Sequence, residues 1–146
     1  MSDVSFNAYH LADLLRKVYF FKSLSREKFD QLVTHMQIVN HKKDDVIMKQ
    51  GDRGTAFCLI GVGRVSVWVK KDYGKAKVAE LLPGQFFGEM ALIANEPRSA
   101  TVIAEENTDM YILKRNDFES ILMDDPVAAK ELWKVYNERK QKNKKD

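Results

Sequence analysis

Glu89 and Arg98 stand at the two ends of one short segment, FGEMALIANEPRSATV over residues 87–102, and no other pair in the chain is better placed to hold a ligand. The segment opens on Gly88, lacks strand alternation through EMALI, and passes Asn95-Glu96-Pro97 before strand-like residues begin at Arg98. It reads as strand, one short helical turn, loop and strand. Amides at the start of a helical turn point outward unpaired and attract anions. Gly88 has no side chain to keep a ligand away from the backbone. Arg98 can fork two N–H groups onto two phosphate oxygens. A carboxylate at Glu89 repels a bare phosphate but accepts well from a sugar hydroxyl. One acidic and one basic group on a common cavity suit a ligand that carries a hydroxyl beside a singly charged phosphate. A plain salt bridge between the two ends of the loop is the competing reading.

A 3′,5′-cyclic nucleotide has this make-up, because its 3′ and 5′ oxygens are closed into the ring and only the 2′-OH is left to be read. Other chemistry is thinly represented. The histidines are His10, His35 and His41, and no two share metal-ligand spacing on one element, so no metal is expected. A metal-dependent cupin would need His-x-His on one strand, which is missing. Gly61-Val62-Gly63 begins like a dinucleotide loop, but Ser66 stands where a third glycine belongs and no helix comes after it, which points to a tight strand connection. No catalytic constellation emerges, and a binding module without enzyme activity or cofactor is expected.

Periodicity sets out the framework around this pair. Leu11, Leu14, Leu15 and Val18 recur at helical spacing, and Ser25 is set to cap a second helix with the stripe Phe29, Leu32, Val33 and Met36. The texture then turns to short β-type runs broken at Gly51-Asp52-Arg53-Gly54, Gly61-Val62-Gly63 and Asp72-Tyr73-Gly74-Lys75. Val65, Val67 and Val69 alternate with Arg64, Ser66, Trp68 and Lys70, the period of a half-buried strand. Further runs over residues 77–82, 98–104 and 110–113 bring the expectation to roughly eight short strands, a β-roll or jelly roll. Phe118, Ile121 and Leu122 return to helical spacing, and Asp125-Pro126 reads as an N-cap followed by proline at the first helical position. On that last helix Trp133 and Tyr136 share a stripe with Ala129. A strand-rich centre with helices at both ends is α+β.

Length and composition bound the rest. A chain of 146 residues with 45% apolar and 31% charged residues is the size and make-up of one soluble globular domain. No apolar run approaches the ~20 residues of a membrane span, and the first residues, MSDVSFNAYH, are unlike a signal peptide. With the single cysteine, Cys58, inside the apolar run AFCLI, this leads to the expectation of a cytoplasmic protein. The formal charge of +3 belongs to the end of the chain. RKQKNKKD carries five bases and one acid, net +4, so the body is slightly acidic and nucleic acid is not an expected partner. The tail reads as a solvated helix end, with binding to an acidic partner or membrane surface as the alternative.

The segment over residues 87–102 resembles the phosphate-binding cassette of cyclic-nucleotide-binding domains, as in the regulatory subunit of protein kinase A, the bacterial catabolite activator and cyclic-nucleotide-gated channels. Phe-Gly-Glu-x-Ala-Leu, a short loop, and Pro-Arg-(Ala/Ser/Thr)-Ala-Thr-Val are matched without insertion. The resemblance extends to FFKSLS over residues 20–25, VIMKQGD over 46–52 and PGQFFG over 83–88, and covers roughly residues 20–136. It implies an eight-stranded antiparallel β-roll, jelly-roll-like, with an N-terminal helical bundle and two C-terminal helices, the last a mobile lid. It implies that Glu89 accepts from the ribose 2′-OH, that Arg98 pairs with the cyclic phosphate, and that the amides of Ala91 and Ser99 and the Ser99 hydroxyl donate to it. Phe87, Gly88, Met90 and Ala100 complete the implied ligand-binding set. Trp133 falls near where some bacterial members cover the purine, with Tyr136 as a second candidate cap and plain core as the alternative for each. Asp44 departs from the family, standing where many members have glycine.

The expected layout is one domain over residues 1–146. Helices fill 1–36, the β-roll 37–114 with the cassette at 87–102, and C-terminal helices 115–138, with a basic tail at 139–146. A sensor of cAMP rather than cGMP is expected, because the hydroxyl that accepts from the guanine 2-amino group is more often threonine than serine. A downstream effector protein is the expected partner. The alternative is an N-terminal sensor fragment of a larger channel, kinase or transcription regulator. Ten residues after Tyr136 leave no room for a helix-turn-helix, so DNA binding by this chain is not expected.

Overall fold

A computed structural model describes residues 8–18, 21–22, 24–54, 56–89, 97–122, 125–127, 130–131, 133–134 and 137–138. Among them are three helices, α1 (Ala8–Arg16), α2 (Arg26–His35) and α3 (Arg115–Leu122). The eight strands are β1 (Gln37–His41), β2 (Val46–Met48), β3 (Ala56–Val62), β4 (Val65–Lys71), β5 (Gly74–Leu81), β6 (Phe86–Phe87), β7 (Thr101–Ala104) and β8 (Thr108–Lys114). All pairings are antiparallel, in two four-stranded sheets ordered β1-β8-β3-β6 and β2-β7-β4-β5. Ser25 begins α2 as its type predicts, its Oγ accepting from the Lys28 amide at 3.2 Å.

The first sheet is a middle layer. Period-two alternation sends Phe57 and Leu59 of β3, with Tyr111 and Leu113 of β8, into one core shared with the buried faces of all three helices. The intervening Cys58, Ile60 and Met110 face a second core, closed by Val65 and Val102 of the other sheet. β6 divides the same way, Phe86 packing toward the helices and Phe87 toward the second sheet. The second sheet is covered on one face only. Val65 and Val67 point inward, while Trp68 on the other face donates its Nε1–H to Ser66 Oγ at 2.8 Å, and that hydroxyl donates to Glu105 at 2.8 Å.

The boundaries differ from the sequence expectation at three places. β7 begins at Thr101, not Arg98, because the Arg98 backbone is committed to another loop: its amide donates to Asp52 and its carbonyl accepts from Gly51. Gly61 and Val62 belong to β3, and Gly63, at φ +102°, makes the turn. β5 starts at Gly74, whose φ of +107° leaves Asp72-Tyr73 as the hairpin tip. Asp44, the departure from the family pattern, sits at φ +75° in the turn that carries the chain from β1 in one sheet to β2 in the other. That backbone shape is one glycine adopts without strain.

Candidate ligand-binding site

β6 is only two residues long, yet its register against β3, Cys58 opposite Phe87 and Leu59 opposite Phe86, fixes where the chain goes after it. Phe87 is 9% exposed in the core between the sheets. Gly88 comes next at φ +84°, pressed so closely on its surroundings that a β-carbon there would lie 2.6 Å from the Ala56 carbonyl oxygen and 2.6 Å from Arg98 Nη1. The chain then delivers Glu89, whose side chain is almost wholly removed from water at 3% exposure. Burying a carboxylate is costly and is seldom seen without a purpose.

Arg98 arrives from the other side. Its amide donates to the Asp52 carbonyl at 2.7 Å, its own carbonyl accepts from the Gly51 amide at 2.8 Å, and Arg53 and Pro97 form an isolated bridge between the same two segments. The half-buried guanidinium donates from Nη2 to the Ala56 carbonyl at 3.0 Å. Burial pushes its pKa below the ordinary arginine value, but a guanidinium stays charged in any protein setting. Among the described residues no carboxylate forms an ion pair with it. Ala56 is thus the meeting point: its carbonyl occupies the space a side chain at Gly88 would need and accepts from the head group of Arg98.

Ser99 is exposed beside Arg98, and Ala100, 7% exposed, turns into the interior. Met90, Ala91 and Tyr136 lie outside the described residues. Asp125 Oδ1 accepts from the Val127 amide at 3.1 Å, as expected of an N-cap, and Trp133 farther on is helical and 44% exposed, outside both cores. Trp68 lies on the outer face of the second sheet, over a groove of about 300 Å³ shared with Lys49, Gln50, Asp52, Lys70 and Lys75. The histidines sit apart: His10 is hydrogen-bonded to the Tyr111 hydroxyl, His35 donates to the Gln31 carbonyl, and His41 lies 4.0 Å from Asp45. Among the described residues no group of three or more His, Cys, Asp or Glu is placed to hold a metal ion, and no helix is long and apolar enough to cross a membrane.

An acid and a base therefore stand at the two ends of one segment, with Gly88, next to the acid, and the Arg98 head group both close to the Ala56 carbonyl at the start of β3. The sequence profile of the cyclic nucleotide-binding domain family matches residues 38–125. The chain belongs to the cyclic nucleotide-binding domain family. It is 33% identical over 130 residues to the cAMP-dependent protein kinase regulatory subunit of Dictyostelium discoideum, covering 88% of this chain and 40% of that protein. It is 32% identical over 97 residues to human cGMP-dependent protein kinase 2, covering 65% of this chain and 13% of the kinase. Among solved structures, the regulatory domain of Toxoplasma gondii PKA, co-crystallised with cAMP, superposes with a TM-score of 0.77 at 27% identity, over 84% of this chain and 47% of that one. This family member thus spans well under half the length of the two kinase proteins it matches.

Proposed function

We propose that the chain is a cyclic-nucleotide sensor, regulatory and not catalytic, that binds cAMP in preference to cGMP and reports the event through its C-terminal helix. One observation carries the reading: a half-buried guanidinium for which, among the described residues, no carboxylate forms an ion pair, while the carboxylate-bearing Glu89, at the other end of the same segment, is buried. A charge withdrawn from water gains most when a counter-charge arrives, and a cyclic phosphate brings one negative charge to Arg98. Its neighbouring 2′-OH can donate to Glu89. The backbone around Gly88, Ala91 and Ser99 and the Ser99 hydroxyl supply further contacts, while Phe87, Met90 and Ala100 shape the wall. Serine rather than threonine after the arginine is the basis for preferring cAMP. Trp133, half-exposed on the last helix, is the proposed cap over the purine, with Tyr136 as the other candidate.

In this reading residues 1–146 act as one domain, with a helical bundle before the roll and two helices after it, in the cytoplasm, with a protein effector downstream. A second reading, that the chain is the sensor segment of a larger channel, kinase or regulator, is favoured by its coverage of 40% of the amoebal subunit and 47% of the Toxoplasma domain. Both are tested by calorimetric titration with cAMP and cGMP. The expected result is one site per chain and tighter binding of cAMP. Absence of heat and of any thermal stabilisation with either nucleotide would overturn the proposal.

A further inference from the structure

The turn Gly51-Asp52-Arg53-Gly54 reads in the sequence as punctuation between strands, and the structure gives it another task. We infer that this loop is a positioning element for the phosphate-binding arginine, and that Gly54 is glycine in order to seat the Arg98 guanidinium; the inference rests on the cyclic-nucleotide reading above. Two backbone hydrogen bonds and the Arg53–Pro97 bridge clasp the loop to the Arg98 main chain. The side chain then lies directly across Gly54. A β-carbon at Gly54 would stand 1.7 Å from Arg98 Nε, 2.0 Å from Cζ and 2.4 Å from Nη2. On another flank Gly88 would place a β-carbon 2.6 Å from Nη1, and the Ala56 carbonyl takes Nη2 at 3.0 Å. The guanidinium therefore rests in a slot with glycine on two sides and a carbonyl at its end.

The backbone at Gly54 separates this role from ordinary turn chemistry. Gly51, Gly63, Gly74, Gly84 and Gly88 all have positive φ, but Gly54 does not. Alanine fits its backbone without strain, so the space taken by Arg98 is the reason for glycine. A long, flexible side chain yields before the fold does, and Gly54→Ala should expel the guanidinium while leaving the roll intact. The native slot holds Arg98 before the ligand arrives, which removes the cost of ordering it at the moment of binding.

The test is a double-mutant cycle read by cAMP calorimetry on the native chain, Gly54→Ala, Arg98→Ala and the double variant. Gly54→Ala is expected to melt close to the native chain and to bind cAMP at least about tenfold more weakly. Arg98→Ala is expected to lose about a hundredfold or more, and the double variant no more than Arg98→Ala alone. A Gly54→Ala affinity within threefold of native, or losses that simply multiply in the double variant, would overturn the inference while leaving the cyclic-nucleotide reading in place. Failure of the native chain to bind either nucleotide overturns both. A second measurement needs no Gly54 variant: the Arg98 Nε–H resonance of the ligand-free native chain, assigned by its loss in Arg98→Ala. It should be shifted and slow to exchange; a signal averaged as in free arginine refutes the slot.

Discussion

The two sheets have equal strand numbers and the same antiparallel pairing, but they live in different surroundings. The β1-β8-β3-β6 sheet has helices on one face and the other sheet on its second face, so the consecutive β3 residues 57–61 are all buried. The β2-β7-β4-β5 sheet has a core on one face and solvent on the other. Glu89 comes after β6 of the first sheet and Arg98 precedes β7 of the second, so the candidate site straddles the seam between an enclosed layer and a half-wet one. A ligand there would be read at one end by a carboxylate fixed to the enclosed layer. At the other end it would meet an arginine whose loop leads into the solvated one.

The contrast is open to direct attack, first through the cores. Leu59→Ala in the enclosed sheet removes a side chain with no exposure and should cost about 2.7–5 kcal/mol of stability in denaturant unfolding. Val67→Ala on the covered face of the other sheet, where the side chain is only partly buried, should cost about 1 kcal/mol. Equal losses would show that the two layers are not different in kind. The sugar end comes next. If Glu89 accepts from the 2′-OH, 2′-deoxy-cAMP should bind the native chain about 1–3 kcal/mol more weakly than cAMP, because the buried carboxylate is then left without that donor. Glu89→Gln should narrow the gap. Equal affinities of the native chain for the two ligands would remove Glu89 from the site. The smallest expected effect lies at the crossing between sheets. Asp44→Gly relieves a positive φ but loosens the unfolded chain, leaving a net gain of about 0.5–1 kcal/mol in thermal unfolding. A loss there would mean that the Asp44 side chain outweighs its backbone strain.

The same contrast explains how much of the fold is legible in the residue pattern. β4 announces itself because Ser66, Trp68 and Lys70, on the face away from the core between the sheets, alternate with the inward valines; Ser66 is itself buried, its hydroxyl bonded to Glu105 and Trp68. β3 and β8 are covered on both faces, so AFCLI and MYIL carry no alternation, and their face assignments come only from the packing. The apolar and β-branched neighbours of Arg98 suggest a strand, whereas its backbone bonds go to residues 51 and 52, a pairing that no local pattern encodes. Glu89 and Arg98 stand out by charge within an apolar segment. Gly54 does not, since a missing side chain says nothing about which distant group fills the space. The family's glycine at the Asp44 turn is legible as a difference, and its meaning comes from the positive φ.

Cys58 lies opposite Phe87 on the strand that supports Glu89, and burial pushes its thiol pKa up to about 12, against the small opposing pull of Arg98. Only the thiolate reacts readily, so the folded chain is nearly inert to alkylating reagents at neutral pH. In alkali the unfolded chain ionises first, and stability falls as pH climbs from the ordinary thiol range toward 12. The molecule thus carries an internal clock. Each alkylation event marks one opening of the enclosed sheet, and a ligand that favours the closed state slows the ticking by mass action. Occupancy can then be timed without a label or an assay of any downstream effector.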